Sequence, residues 1–230
     1  MLAQRLGLSI NSTRPLGKWS PDDETSLEAW YQNKVGITLN GSDVSVWADS
    51  SSNSFDMIQE DVATEQPAYD TSSGVLTFVR ADINNLQSAT TIELSGDFTV
   101  GIKAFPGFTA TSSGTFLGDN TQSNELFKYT SNTRVKVRID SANVNLDLDS
   151  GTFGDDYLVI TRVSNVLTLW KNGVKQTGST PTAAGTADID SIGIRFDDAD
   201  AYDGTLEEIQ IYSSSSADLT ANINDRLASL

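Results

Sequence analysis

Glu207 and Glu208, in TLEEIQIY (205–212), are adjacent carboxylates in a chain of 230 residues that has no histidine and no cysteine. That composition excludes Ser-His-Asp and Cys-His nucleophiles, imidazole or thiolate zinc sites and disulfides, and it removes the commonest general base near neutral pH. Chemistry would therefore fall to carboxylates, hydroxyls, lysine or tyrosine. Retaining glycoside hydrolysis needs two carboxyl groups about 5–5.5 Å apart in one cleft. Neighbours on a strand point to opposite faces, so Glu207 and Glu208 do not flank one glycosidic bond; no catalytic residue is assigned and no enzyme activity is expected. A second acidic group, RFDDADAYDG (195–204), gathers Asp197, Asp198, Asp200 and Asp203. It lacks EF-hand spacing, because Gly204 is misplaced and no glutamate closes the loop, and it reads as a solvated loop.

The elements that must position these side chains repeat with period two. Short runs such as VSVW (44–47), VLTFV (75–79), DFTVGIKAF (97–105) and ELFKYT (125–130) alternate between turn residues, as half-buried antiparallel strands do. In RVKVRIDSANVNLDLD, Val135, Val137 and Ile139 share one face and Arg134, Lys136 and Arg138 the other; after a turn, Asn145, Asp147 and Asp149 face outward. The opposite charges predict a solvated cross-strand ladder. YLVITRV and VLTLW flank Ser164 and Asn165, and LWKNGVKQ turns at Asn172-Gly173, the strongest short hairpin signal. No crossover helices separate the strands, so the pattern predicts an all-β, two-sheet antiparallel sandwich. Two stretches look helical: a turn after Ser20-Pro21, and SSADLTANINDRL, capped by Ser216, with Leu219, Ile223, Leu227 and Leu230 on one stripe. Trp47, Phe78, Phe98, Phe105 and Trp170 are assigned to the core or sheet edges. Trp19, Tyr129 and Tyr202 are candidate glycan contacts, with core or interface packing as the alternative.

Thirty-one acidic against fifteen basic residues give a net charge of −16. Such a surface repels phosphate backbones and anionic lipids, so neither nucleic acid nor a membrane is expected as partner. The amino-terminal stretch MLAQRLGLSINSTRPLGKW has an apolar patch broken by Arg5, too short for a signal peptide of about 7–15 apolar residues. No apolar run approaches the roughly 18 residues of a membrane span. Residues 1–26, with Leu2, Leu6, Leu8 and Ile10, read as an arm too short to fold alone, and 27–230 as one domain.

Several stretches, in order, resemble a known family. LEAWYQNKVGITLNGSDVSVWADSSSNSFDMIQ, with Trp47, Asp49, Ser51 and Asn53 in a W-x-D-x-S-x-N loop, is similar to the opening of concanavalin A-like jelly rolls of the LamG type. DFTVGIKAFP matches a further signature, with Ala104 and Phe105 where a tryptophan pair is usual; YLVITR, LTLWKNGVKQTGS and YDGTLEEIQIY resemble three more. The resemblance covers about Leu27 to Leu230 and implies a jelly-roll sandwich with an N-terminal arm and a short C-terminal helix. It implies no required cofactor. A structural calcium near Glu208 and the Asp49–Ser51–Asn53 loop is one implication, with an ordinary surface carboxylate and an Asx-rich turn as the alternative. Such modules also occur in virions of tailed bacteriophages, which need no export signal. The resulting expectation is a virion structural protein, a capsid decoration or a tail or fibre component. Its arm (Leu2, Arg5, Leu6, Leu8, Ile10) would join other virion proteins, including copies of itself. The alternative expectation is a lectin module that binds a surface glycan.

Overall fold

The structure, a computed structural model, describes residues 18–107, 114–121, 126–140, 142–198 and 200–230. The arm residues Leu2, Arg5, Leu6, Leu8 and Ile10, expected to anchor the chain, lie outside the described residues. Among the described residues the chain forms seventeen strands and one α-helix. The first strands are β1 (Leu27–Tyr31), β2 (Ile37–Asn40), β3 (Asp43–Trp47), β4 (Met57–Ile58), β5 (Ala68–Asp70) and β6 (Val75–Phe78). Then come β7 (Leu86–Leu94), β8 (Phe98–Pro106), β9 (Gly114–Gly118), β10 (Leu126–Ser131), β11 (Arg134–Ile139) and β12 (Ala142–Asp147). The last are β13 (Asp156–Val163), β14 (Val166–Lys171), β15 (Val174–Lys175), β16 (Ala187–Ile192), β17 (Gly204–Tyr212) and the helix α1 (Ala217–Leu227).

All pairings are antiparallel, as the predicted sandwich requires. In the back layer β15, β14, β13, β8 and β17 lie side by side; β17 then pairs with β6 along its first half and with β1 along its second. The front layer runs β12, β11, β10, β9, β16, β7, β4, β3, with β2 beside β3. Strand β5 joins β3 to β6 and closes the circuit. Inward residues of both layers make one core. Phe98 of β8 meets Phe127 of β10 edge-on at 6.0 Å across it. Arg162, 1% exposed, follows the core-facing Leu158 and Ile160 of β13 and stacks over Phe98. Its guanidinium donates to the carbonyls of Leu94, Gly96 and Gly185, tying the β7–β8 turn and the approach to β16 onto β13. The β14–β15 turn sits at Asn172 and Gly173 with φ of 49° and 76°, which glycine adopts without a Cβ penalty.

Helix α1 starts where Ser216 accepts the Leu219 N–H at 3.0 Å, as the capping rule predicts. Its stripe of Leu219, Ile223 and Leu227 packs on Val159 and Tyr212, on the outer face of the back layer. Leu230, placed on that stripe by spacing, is instead exposed beyond the helix end. Phe105, assigned to the core or an edge, is 46% exposed: the next position along β8, Pro106, is buried while Phe105 points out. Among the described residues no helix is long and apolar enough to cross a membrane.

Candidate functional site

Strand β17 bulges between Leu206 and Glu208, with Glu207 as the extra residue, so the simple alternation expected of the two glutamates is interrupted there. Leu206, Ile209 and Ile211 all reach the core, while Glu208 and Gln210 turn under α1. Glu208 is fully buried, and its carboxylate is spoken for. Oε1 accepts the Trp30 indole N–H at 3.0 Å and the Gln210 amide at 2.8 Å, and Oε2 accepts Arg226 Nη2 at 2.9 Å. Arg226 Nε donates to Oε1 as well, and the guanidinium lies over the Trp30 ring.

Asp49 is equally engaged in its own loop. Oδ1 accepts the N–H groups of Trp30 and Ser51 at 2.9 and 2.8 Å, and Oδ2 accepts the Ser51 hydroxyl at 2.6 Å and the Phe55 N–H at 3.1 Å. The Asn53 amide donates to the carbonyls of Leu27 and Glu28. Calcium requires six to eight oxygen lone pairs, whereas these oxygens are met by N–H and O–H donors. The residues do not fit the ion. Among the four residues expected to hold calcium, Trp30 bonds both carboxylates, joining the buried ion pair of Glu208 to the Asx-type loop of Asp49, Ser51 and Asn53. No group of three or more acidic side chains among the described residues has metal-binding geometry.

The candidate glycan aromatics are also reassigned. Tyr129 and Tyr202 are fully buried, stacked on each other at 6.3 Å, and burial pushes both phenols well above their ordinary range. Trp19 is half-buried against the α1 cluster, its indole N–H bonded to Glu24 at 2.9 Å. Tyr129 and Tyr202 therefore offer no ring face to a sugar.

The outer face of the front layer carries a different constellation. Alternation about Ile189 in β16 sends Asp188 and Asp190 away from the core. Asp190 hydrogen-bonds the carboxyl of Asp119, and its Oδ1 accepts the Asn120 N–H at 2.6 Å. Burial, and after it the nearby Asp119 and Asp188 charges, raise the Asp190 carboxyl to about 6; Asp188 is raised for the same reasons, burial first. Asp119 Oδ1 in turn accepts the N–H and hydroxyl of Thr121 at 2.7 and 2.6 Å.

From Asn120 a chain of amides runs along the layer. Asn120 Nδ2 donates to Gln87 Oε1 at 2.6 Å, Gln87 Nε2 to Asn85 Oδ1 at 2.9 Å, and Gln59 Nε2 to the same Asn85 oxygen at 3.0 Å. The chain ends in a groove of about 480 Å³ between β4 and β7, where Gln59, Glu60, Asp61, Glu65 and Gln87 line the polar side and Ile58 and Val62, 39% and 40% exposed, form apolar walls. Amides donate and accept at once, as hydroxyls do, and the groove lies within the range of about 300–1,000 Å³ of small-ligand sites. Sequence reasoning missed this site because its residues come from four separate segments, 58–65, 85–87, 119–121 and 188–190. The one local signal was the pair of outward aspartates in ADIDSI.

The predicted charge ladder is only one rung long. Arg134 faces Asp147 and bonds it at 2.6 Å, but Lys136 faces Asn145 and Arg138 faces Asn143. Asp200, expected in a solvated loop, instead pairs with Lys128 and Arg195.

No protein-family model matches the chain, and no curated protein matches it. Solved structures do. A Trypanosoma rangeli sialidase aligns over 90% of this chain at 14% identity with a TM-score of 0.55, and this chain spans 33% of that one. Domain 4 of AbnA, a GH43 extracellular arabinanase from Geobacillus stearothermophilus solved with arabinotriose, aligns over 88% of this chain and 98% of its own at 16% identity, TM-score 0.53. At such identity the likeness establishes the fold, a jelly-roll-like β-sandwich. The chain covers about a third of the sialidase and nearly all of the arabinanase domain.

Proposed function

We propose that this sandwich is a non-catalytic carbohydrate-binding module whose ligand lies in the groove between β4 and β7. The observation that carries the reading is the amide chain from Asn120 through Gln87 to Gln59, which ends in that groove beside the exposed Ile58 and Val62. Amides satisfy hydroxyls, and the apolar walls suit the C–H face of a sugar ring. The arabinanase domain, of matching extent, was solved in complex with arabinotriose, and this supports a saccharide as the ligand class. Assembly into a virion would rest on the arm residues Leu2, Arg5, Leu6, Leu8 and Ile10, which lie outside the described residues.

Isothermal titration with arabinotriose and a panel of neutral oligosaccharides tests the proposal. Saturable binding that weakens about tenfold in Gln87→Ala, with circular dichroism unchanged, is the expected result. A panel without binders, or a Gln87→Ala protein that binds as well as the parent, would overturn it.

A further inference from the structure

Helix α1 covers only part of the outer face of the back layer. Its apolar stripe lies on Val159 and Tyr212 and stops short of the far ends of β13 and β14. There the outward side chains stand in register pairs: Val163 opposite Val166, both exposed, and Thr161 opposite Thr168. Trp170 follows, paired with Val159 on one side and Lys175 on the other. All of these face away from the core because Leu158, Ile160, Leu167 and Leu169, which alternate with them, face into it. With Ser215 and the first turn of α1 as the opposite wall, they enclose a groove of about 470 Å³. Thr161 and Thr168 form its floor. They are 6% and 9% exposed, and among the described residues neither hydroxyl has a hydrogen-bond partner. The Trp170 indole N–H has no acceptor there either. Native structures rarely bury such groups unmatched, since each loses its water without gaining a partner. The helix wall differs: the Thr220 hydroxyl donates to the Ser216 carbonyl, and the Ser216 hydroxyl accepts the Leu219 N–H. The unmatched polar groups are thus on the sheet side of the groove.

We infer that this groove is a second saccharide site, so that the chain holds two saccharides at once, one on each layer. The saccharide class rests on the glycan-binding reading above; the place rests on the paired threonines. A sugar hydroxyl donates and accepts, and so matches a threonine hydroxyl in either sense, while Val163, Val166 and the Trp170 ring suit the C–H face of a sugar. A purely apolar ligand would leave both threonines buried and unmatched. An added peptide strand finds no free edge on this floor, because β13 and β14 pair with each other and with β8 and β15. Two sites on separate layers let one chain engage two glycan strands, with the gain in avidity that follows.

The test is calorimetry and tryptophan fluorescence on the full chain with arabinotriose and the neutral oligosaccharide panel. The variants are Gln87→Ala, the double variant Thr161→Val/Thr168→Val and Trp170→Phe. Valine keeps the branched shape and strand preference of threonine and removes the hydroxyl. The parent is expected to bind two ligands per chain. Gln87→Ala should weaken one of them and spare the other, and the threonine variant should weaken that other about tenfold with circular dichroism unchanged. Filling the second site should change the tryptophan emission, and Trp170→Phe should abolish that change. One ligand per chain, weakened by Gln87→Ala alone, would overturn this inference and leave the front groove as the site. One ligand weakened by the threonine variant alone would sustain the back groove and overturn the reading of the front one. A second ligand indifferent to the threonine variant would lie elsewhere and overturn the assignment. A dimer that the threonine variant dissociates in sedimentation, with no saccharide bound at this face, would give the groove to a second copy of the chain. No binding in any arm would end both readings.

Discussion

Glu208 shows how much a carboxylate depends on what covers it. With Arg226, Trp30 and Gln210 in place it is a satisfied buried charge. Removing the cation leaves that charge unpaired. Arg226→Ala is therefore expected to cost about 3–5 kcal/mol in denaturant unfolding, with much of the loss recovered in the double variant Glu208→Gln/Arg226→Met, because an apolar replacement of both partners removes the desolvation problem together with the pair. Asp190 makes a pH-dependent contribution of the opposite sign to an ordinary salt-bridged carboxylate. Its folded carboxyl titrates near 6 against an ordinary value of 3.8, chiefly because burial disfavours the anion. The native state thus binds the proton more tightly than the unfolded chain, and stability is lost as pH rises from about 4 through about 6. Melting temperatures taken between pH 5 and 7 should fall more steeply for the parent than for Asp190→Asn; parallel curves would remove Asp190 as the source.

The contact between α1 and the back layer is set by a residue without a side chain. A Cβ on Gly101 of β8 would sit 2.4 Å from Ile223 Cγ2, so Gly101→Ala should lift the helix and cost about 1–3 kcal/mol, read as a lowered urea midpoint. Much of this arrangement was legible in the residues. The Ser216 cap, the Leu219–Ile223–Leu227 stripe and the Asn172-Gly173 turn are local signals, and each sits where local physics puts it. What stayed hidden depends on a second element. Glu208 and Gln210 alternate with Ile209 and Ile211 as solvent-facing residues would, and only the helix laid over them makes that face an interior. The burial of Tyr129 and Tyr202 and the amide chain from Asn120 to Gln59 likewise need strands distant in sequence to be side by side. The bulge after Leu206 has no glycine to announce it.

For the molecule as a whole, a charge of −16 on one small sandwich means self-repulsion that dissolved salt screens. Raising sodium chloride from 10 to about 300 mM should raise the melting temperature, in contrast to a protein held mainly by surface ion pairs; a flat or falling profile would mean that the local pairs dominate. The connectivity of β17 has a kinetic side. This strand fills the centre of the back layer, between β8 on one side and β1 and β6 on the other. Strand β8 ends at Pro106 and β17 begins only at Gly204, so during synthesis β1, β6 and β8 all leave the ribosome with edges that no earlier strand can pair. Contacts this distant in sequence slow folding, and unpaired edges invite association with other chains. The nascent chain must therefore wait for nearly its last strand before the sandwich can close, and it is in that interval, rather than in the finished fold, that it is most exposed to aggregation.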